Sequence, residues 1–306
     1  MKGYAKPLHE FIEGHKIQFV IPVYQRNYDW LIDNCDQLFS DLVKLSRSNR
    51  CSHFFGSIVT SSADSSYNRL VIDGQQRLTT ISLLLLAGIK AVKAGAIEIS
   101  EESKIDEAYE VFLKAKFCNS ERKIKLVPIE NDRIAYDKIF NEEDSFDEDS
   151  KVTRNYRHFY NLLTRKPQAL SFDQLLDAIE RLQIISIELD SDDDAQLIFE
   201  SLNSTGLALT EADKIRNYLL MSLTPEEQHM CFKNYWQKIE QATENQPTKF
   251  LRDYLTIQQQ LQRPVRQSNI YYEWKKYMDG HERKEELVRM LDYAHYYQQV
   301  TEAKLS

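Results

Sequence analysis

Residues 81–89 read ISLLLLAGI, the longest apolar stretch in the chain, and they follow VIDGQQRLTT without a break. A helix from about Gln75 to Ala94 would be apolar around much of its circumference. It cannot lie on a surface and must be wrapped by other elements. The RLVID run before it has strand character, and Asp73-Gly74 supplies the turn between them. A strand feeding directly into a buried helix points to an α/β core. Its turn also gathers an acid, two amides and an arginine at a helix start, where backbone N–H groups are unpaired and the dipole is positive. Such a start suits phosphate. A capped helix with an Asp73–Arg77 pair explains the same residues without a ligand, and the G-x-x-x-x-G-K-[ST] spacing of a Walker loop is absent.

The elements around this helix follow from periodicity. LHEFIEG reads as a short helix, and KIQFVIP as a strand stopped by Pro22. Leu31, Leu38, Leu42 and Leu45 share helical spacing. FFGSIVTSS and RLVID form a strand pair joined by ADSSYN, giving a small α/β unit over residues 1–95. RKIKLVP near 122–128 and LQIISIELD near 182–190 are further strands, the second buried through Ile184, Ile185, Ile187 and Leu189. The remainder of 96–180 reads as a helical insertion, NEEDSFDEDS as a solvated acidic loop, and 223–306 as a helical C-terminal region. The domain boundaries expected are thus 1–222 and 223–306.

Composition narrows the function. The 306 residues are 42% hydrophobic and 11% aromatic, enough for packed cores. A net charge of −8 disfavours a general polyanion binder, so any contact with DNA needs a local basic patch or a partner. The four scattered cysteines read as free thiols in a reducing compartment, and with the seven histidines they show no zinc-ligand spacing. The apolar stretch is far short of the roughly 20 residues that span a bilayer. A soluble, cytoplasmic protein without membrane contact is expected.

Two more polar clusters accompany DGQQR. In IPVYQRNYDW, Gln25 and Arg26 interleave with Tyr24, Tyr28 and Trp30, which could stack a base or cover a core. In FESLNSTGLALTEADKIRNYLLM, Gly206 turns the chain and Thr210 with Asp213 resembles a helix cap. Capping leaves Asn203, Thr205, Lys214, Arg216 and Asn217 unexplained, with Lys214 and Asn217 one turn apart. Three such turns together suggest one composite polar pocket with phosphate as its occupant.

In this order IPVYQRNYDW, FFGSIV, VIDGQQRLTT and FESLNSTGLALTEADKIRN resemble the N-terminal domain family of GmrSD-type restriction proteins, over residues 8–222. The resemblance implies a ParB/sulfiredoxin-like mixed α/β core elaborated by helices, and a nucleoside triphosphate site at DGQQR. It implies a prokaryotic anti-phage or modification-dependent restriction system in which nucleotide hydrolysis regulates DNA cleavage. Asp73, Gly74, Gln75, Gln76 and Arg77 fill the family motif. Gln25 and Arg26 fill the first motif, and Asn203, Gly206, Asp213, Arg216 and Asn217 the last. Asp73 is the expected Mg²⁺ ligand, Gln76 the group orienting water, and Arg77 with Arg26 the phosphate clamp. Gly74, Gln75, Thr205 and Lys214 complete the nucleotide-binding set. Many relatives carry a C-terminal HNH-type nuclease domain. Here His229, His281 and His295 stand in no such context, so DNA cutting is left to a further domain, a partner, or neither. A homo-oligomer stays open. The alternatives are a sensor of DNA or a modified base, with the aromatic turn as reader, and a ParB-like nuclease.

Overall fold

A computed structural model describes residues 1–306 except 63–66, 119–122, 144, 166–169, 191, 203–208 and 306. The fold is mixed α/β with a helical C-terminal region, as the sequence predicts. The chain forms two compact units: Met1–Pro22 with Asn27–Asp193, and Val23–Arg26 with Asp194–Ser306.

The first unit holds a six-stranded mixed sheet. Its strands are β1 (Lys2–Pro7), β2 (Gln18–Val20), β3 (His53–Ser62), β4 (Asn68–Asp73), β5 (Leu126–Val127) and β6 (Leu182–Leu189), in the order β1-β6-β3-β4-β2-β5. β6 runs antiparallel to β1 and parallel to β3, and β3 pairs antiparallel with β4. β2 lies parallel to both β4 and β5. β6 thus joins the first sheet as its pattern predicts, although Ile185 is 40% exposed because alternate side chains leave the buried face. Two differences concern short strands. KIQFVIP pairs as a strand over only three residues, and RKIKLVP over two, with Lys114↔Ile124 as an isolated bridge. β1 has no apolar alternation to reveal it. Its Lys2, Lys6 and Pro7 suit a sheet edge, where charge and proline discourage further pairing.

Seven helices of this unit are α1 (Leu8–Ile12), α2 (Ile32–Arg47), α3 (Gln75–Lys93), α4 (Ser103–Ala108), α5 (Glu130–Phe140), α6 (Lys151–Thr164) and α7 (Phe172–Glu180). α3 is the wrapped helix: 15 of its 19 residues are buried, and its buried hydroxyls are satisfied within the helix. Thr79, Thr80 and Ser82 donate to the carbonyl oxygens of Gln75, Gln76 and Leu78 at 2.7–3.0 Å. α6 and α7 pack on it, α7 closely, since a Cβ on Gly88 would sit 2.9 Å from Leu175. Buried Lys125 replaces a counter-carboxylate with three carbonyl oxygens, those of Ile12, Gly14 and Val111, at 3.0–3.1 Å. Among the described residues, NEEDSFDEDS is a largely exposed loop, as expected.

The second unit comprises α8 (Ala195–Leu202), α9 (Glu211–Leu220), α10 (Pro225–Cys231), α11 (Gln237–Ala242), α12 (Pro247–Gln258), α13 (Ile270–Tyr277) and α14 (Arg283–Leu305). Its core gathers Trp236, Trp274, Tyr254 and Phe250, with Tyr24 from the first motif. Thr210 and Thr224 close capping boxes with Asp213 and Glu227, as predicted for the first pair. No helix among the described residues is long and apolar enough to cross a membrane.

Candidate functional site

The start of α3 is built by two glycines. Gly74 joins β4 to α3 as a single residue with φ 96°, the left-handed region open to glycine. A Cβ there would lie 3.0 Å from Ile58 Cγ1 and 3.2 Å from the Ile58 backbone. Gly56, also at positive φ, sits where the register of β3 against β6 shifts, a bulge that bends the strand. The Arg77 guanidinium occupies the space its missing side chain leaves, with Nε 2.7 Å from the position of a Cβ. Arg77 Nη1 donates to the Ser57 carbonyl oxygen at 2.7 Å and lies 3.6 Å from Asp73 Oδ2. Both side chains keep about a quarter of their surface exposed (26% and 23%).

No side chain caps α3, and its first turn contains no acid. Asp73 faces Arg77 instead of the helix N–H groups, so the expected pair forms but the expected cap does not. The first N–H groups of that start therefore meet no side-chain cap. Gln75 is 8% exposed, and its Oε1 has no hydrogen-bond partner. A buried amide oxygen without a donor costs about 1–3 kcal/mol, and a ligand hydroxyl or amine would satisfy it.

Gln76 is spoken for. Its Oε1 accepts from the Asp29 N–H at 2.7 Å and its Nε2 donates to the Asn27 carbonyl oxygen at 3.1 Å. The amide acts as a strand-like partner for the turn of the first motif. Other groups fasten the same turn. Asp132 Oδ2 accepts from the Tyr28 N–H at 2.6 Å, Asn155 Nδ2 donates to the Trp30 carbonyl oxygen at 2.9 Å, and Lys151 pairs with Asp29. Burial, with Asp29 adding repulsion, lifts the Asp132 carboxyl to about 6. Asn155 Nδ2 also donates to Tyr28 Oη at 3.0 Å, and Tyr28 Oη lies 2.8 Å from Thr80 Oγ1. The Thr80 hydroxyl proton is given to the Gln76 carbonyl oxygen, so Tyr28 is the donor to Thr80.

Burial corrects the aromatic reading of IPVYQRNYDW for Tyr24 and Tyr28, whereas Trp30 is half-buried against the core. Tyr28 is 4% and Tyr24 2% exposed, and burial drives both phenol pKa values well up. They are core side chains and present no stacking face to a base. Gln25 is buried and Arg26 half-buried; the division between the compact units falls directly after Arg26.

In the second unit, α9 carries the last motif. Arg216 is buried and engaged on three sides: Nε donates to the Tyr24 carbonyl oxygen at 2.8 Å, Nη1 to Glu240 at 3.1 Å and Nη2 to Asp213 at 2.7 Å. Trp236 Nε1 completes the network by donating to Glu240 at 2.7 Å. First and last motifs therefore meet, through an arginine whose contacts are structural. Lys214 is half-buried and pairs with Glu211 at 2.6 Å, while Asn217, one turn on, is 2% exposed. Both amide atoms of Asn217 lack a partner. Asn203, Thr205 and Gly206 lie outside the described residues.

Gly56, Ser57, Asp29 and Glu240 escaped the sequence reading as site residues. A glycine inside the FFGSIV strand pattern is a bulge signal that could have flagged Gly56. Nothing in the sequence ties Glu240 to Arg216. Among the described residues no three His, Cys, Asp or Glu side chains cluster as a metal site. Asp73 offers one carboxylate, which fits Mg²⁺ only if phosphates and water supply the other oxygens.

No curated protein matches this sequence. The family model for the GmrSD restriction endonuclease N-terminal domain matches residues 8–220, a span containing the DGQQR turn, its Gly56 cradle and Arg216 itself. Since that match covers well over half of the 306 residues, the chain belongs to the GmrSD restriction endonuclease N-terminal domain family.

Proposed function

We propose that this restriction-system domain binds and hydrolyses a nucleoside triphosphate at the start of α3, as a regulatory step in DNA restriction. The observation that supports it best is the uncapped, acid-free first turn of α3 beside a guanidinium held in a glycine cradle. Among the described residues only Nη1 of Arg77 makes a hydrogen bond, leaving the rest of its fork for phosphate oxygens. The orphaned Gln75 oxygen favours a ligand that also carries a donor, as a ribose or base does, over bare phosphate. Gln76 acts as a positioning residue, since both ends of its amide hold the 27–29 turn. Asp73 orients Arg77 and gives one oxygen to a Mg²⁺ ion that arrives with the nucleotide. When bound, that ion would neutralise charge on the transferring phosphoryl group. In the second unit Arg216 positions Tyr24–Arg26, and the Asn217 amide is the group a ligand would satisfy.

Binding and phosphate release across a panel of NTPs with Mg²⁺ test the reading. Arg77→Lys keeps the charge and loses the planar fork. Losing a charge-assisted bidentate contact costs roughly 1.5–3 kcal/mol, about a ten- to hundred-fold loss in affinity or turnover. Melting is expected close to the parent, because a partly exposed pair with Asp73 is worth about 0–1 kcal/mol. Gly56→Ala should also impair nucleotide handling by displacing Arg77 without altering its chemistry, but with a lower melting temperature, because its backbone sits at φ 117°. Normal nucleotide handling in both variants would reduce the motif to a helix start.

A further inference from the structure

The other end of α2 carries a feature the α3 site does not use. A groove of about 630 Å³ opens there, lined by Lys44, Arg47, Arg50 and His53 with Asp41 and Ser48. Asp41 is its single acid: Lys44 lies 3.4 Å from it, and His53 Nε2 3.9 Å. Arg47 and Arg50 are exposed and have no carboxylate partner among the described residues. Arg181 donates to the Arg50 carbonyl oxygen at 3.0 Å and is itself paired with Asp177 at 2.6 Å, so it fixes the backbone without adding free charge.

Cations in a last helical turn have an ordinary role in offsetting the dipole, and Lys44 and Arg47 stand in that turn of α2. Arg50 does not, because the helix ends at Arg47. Magnitudes decide between the two roles. Three positive groups against the one carboxylate of Asp41 leave an excess of about two charges with His53 neutral. The helix terminus offsets only about half a charge. In a chain of net charge −8, this is a local site of opposite sign.

We propose that the groove is a docking surface for the sugar-phosphate backbone of a nucleic-acid strand, held by charge and not by sequence. Lys44 and Arg47 stand one turn apart, about 4.5 Å of rise, a step of the same order as the roughly 3.4 Å of axis per phosphate along one strand. Arg, Lys and Ser are side chains that contact phosphate, and the excess positive charge they bring acts on any sequence alike. The groove shares no residue with the α3 start, so it stands independently of the nucleotide reading.

Fluorescence anisotropy of the full chain tests it, with a labelled 20-base-pair duplex and the matching single strand between 50 and 200 mM NaCl. The double variant Arg47→Ala/Arg50→Ala should weaken binding about tenfold or more at 50 mM. It should also lower the slope of log K against log salt by about two, at roughly 0.9 per lost phosphate contact. Arg47→Lys/Arg50→Lys should keep most of that slope, and Arg252→Ala, which removes a cation of the second unit, should change nothing. Circular dichroism melting and NTP binding should stay parental in all of them. Parental DNA affinity and slope in the double alanine variant would overturn the proposal. So would tripolyphosphate displacing DNA at micromolar concentration, which would mark a free-polyphosphate site, or a joint loss of DNA and NTP binding, which would mark a global defect.

Discussion

At the scale of single residues, the DGQQR turn divides its labour by what each side chain can reach. Gln76 spends its amide on the 27–29 backbone, Arg77 lies in the Gly56 cradle, and Gln75 is left with a buried oxygen lacking a donor. The motif itself was legible, but this division was not, because it depends on Gly56, Ser57 and Asp29 arriving from other strands and turns. Asp132 is the residue where the packing has a measurable acid–base consequence. Its pKa rises from an ordinary 3.8 to about 6, chiefly through burial. Between those values the folded chain binds more protons than the unfolded one, so this group lowers stability as pH rises from about 4 to 6. Above pH 6 the full cost of holding its charge is present. Asp132→Asn keeps an oxygen for the Tyr28 N–H while removing that charge. It should raise stability at pH 7 by on the order of 1–2 kcal/mol and flatten the pH 4–6 slope. Denaturant unfolding of both proteins at pH 4, 5, 6 and 7 checks this, and a variant less stable at pH 7 would assign Asp132 a net favourable charge.

At the scale of elements, the junction of β4 and α3 carries the most constraint per residue. One glycine at φ 96° turns the strand into the helix, with Ile58 backbone 3.2 Å from where a Cβ would go. Gly74→Ala must adopt a strained conformation and push against backbone, which costs of order 1–3 kcal/mol and should lower the melting temperature by several degrees. Alanine is also a poorer N-cap than glycine, so an unchanged melting temperature would show that the junction relaxes. Helices with strong local signals were readable from sequence: α2 from its leucine spacing, α3 from its apolar run, α9 from the Thr210–Asp213 box. The edge strand β1 was not, and the two short strands β2 and β5, though read from KIQFVIP and RKIKLVP, pair over less of those segments than their patterns predict. β1 shows no alternation, β2 and β5 span three and two residues, and each exists because a neighbouring strand offers a ladder.

At the scale of the whole molecule, two hydrophobic cores coexist, one around α3 and the sheet, the other around Trp236, Trp274 and Tyr254. Arg216 belongs to the second, where it pairs with both Asp213 and Glu240. Arg216→Ala leaves two carboxylates in a largely buried site and frees the Tyr24 carbonyl oxygen, a loss of about 3–5 kcal/mol for breaking a buried pair. Calorimetry should show the transition of the second unit moving down by more than that of the first. A single transition shifting as one would show that the units unfold together. The sequence by itself determined the mixed α/β class, the wrapped helix α3, the helical C-terminal region and the family, since apolar periodicity, turn residues and four ordered motifs are local properties. Only the tertiary structure decided that Tyr24 and Tyr28 are core, that Arg216 is a structural clamp, and that Gln76 holds the first motif in place. Those outcomes depend on which partner reaches a polar group before water does, and, Asp213 apart, the partners lie 24 to 192 residues away along the chain.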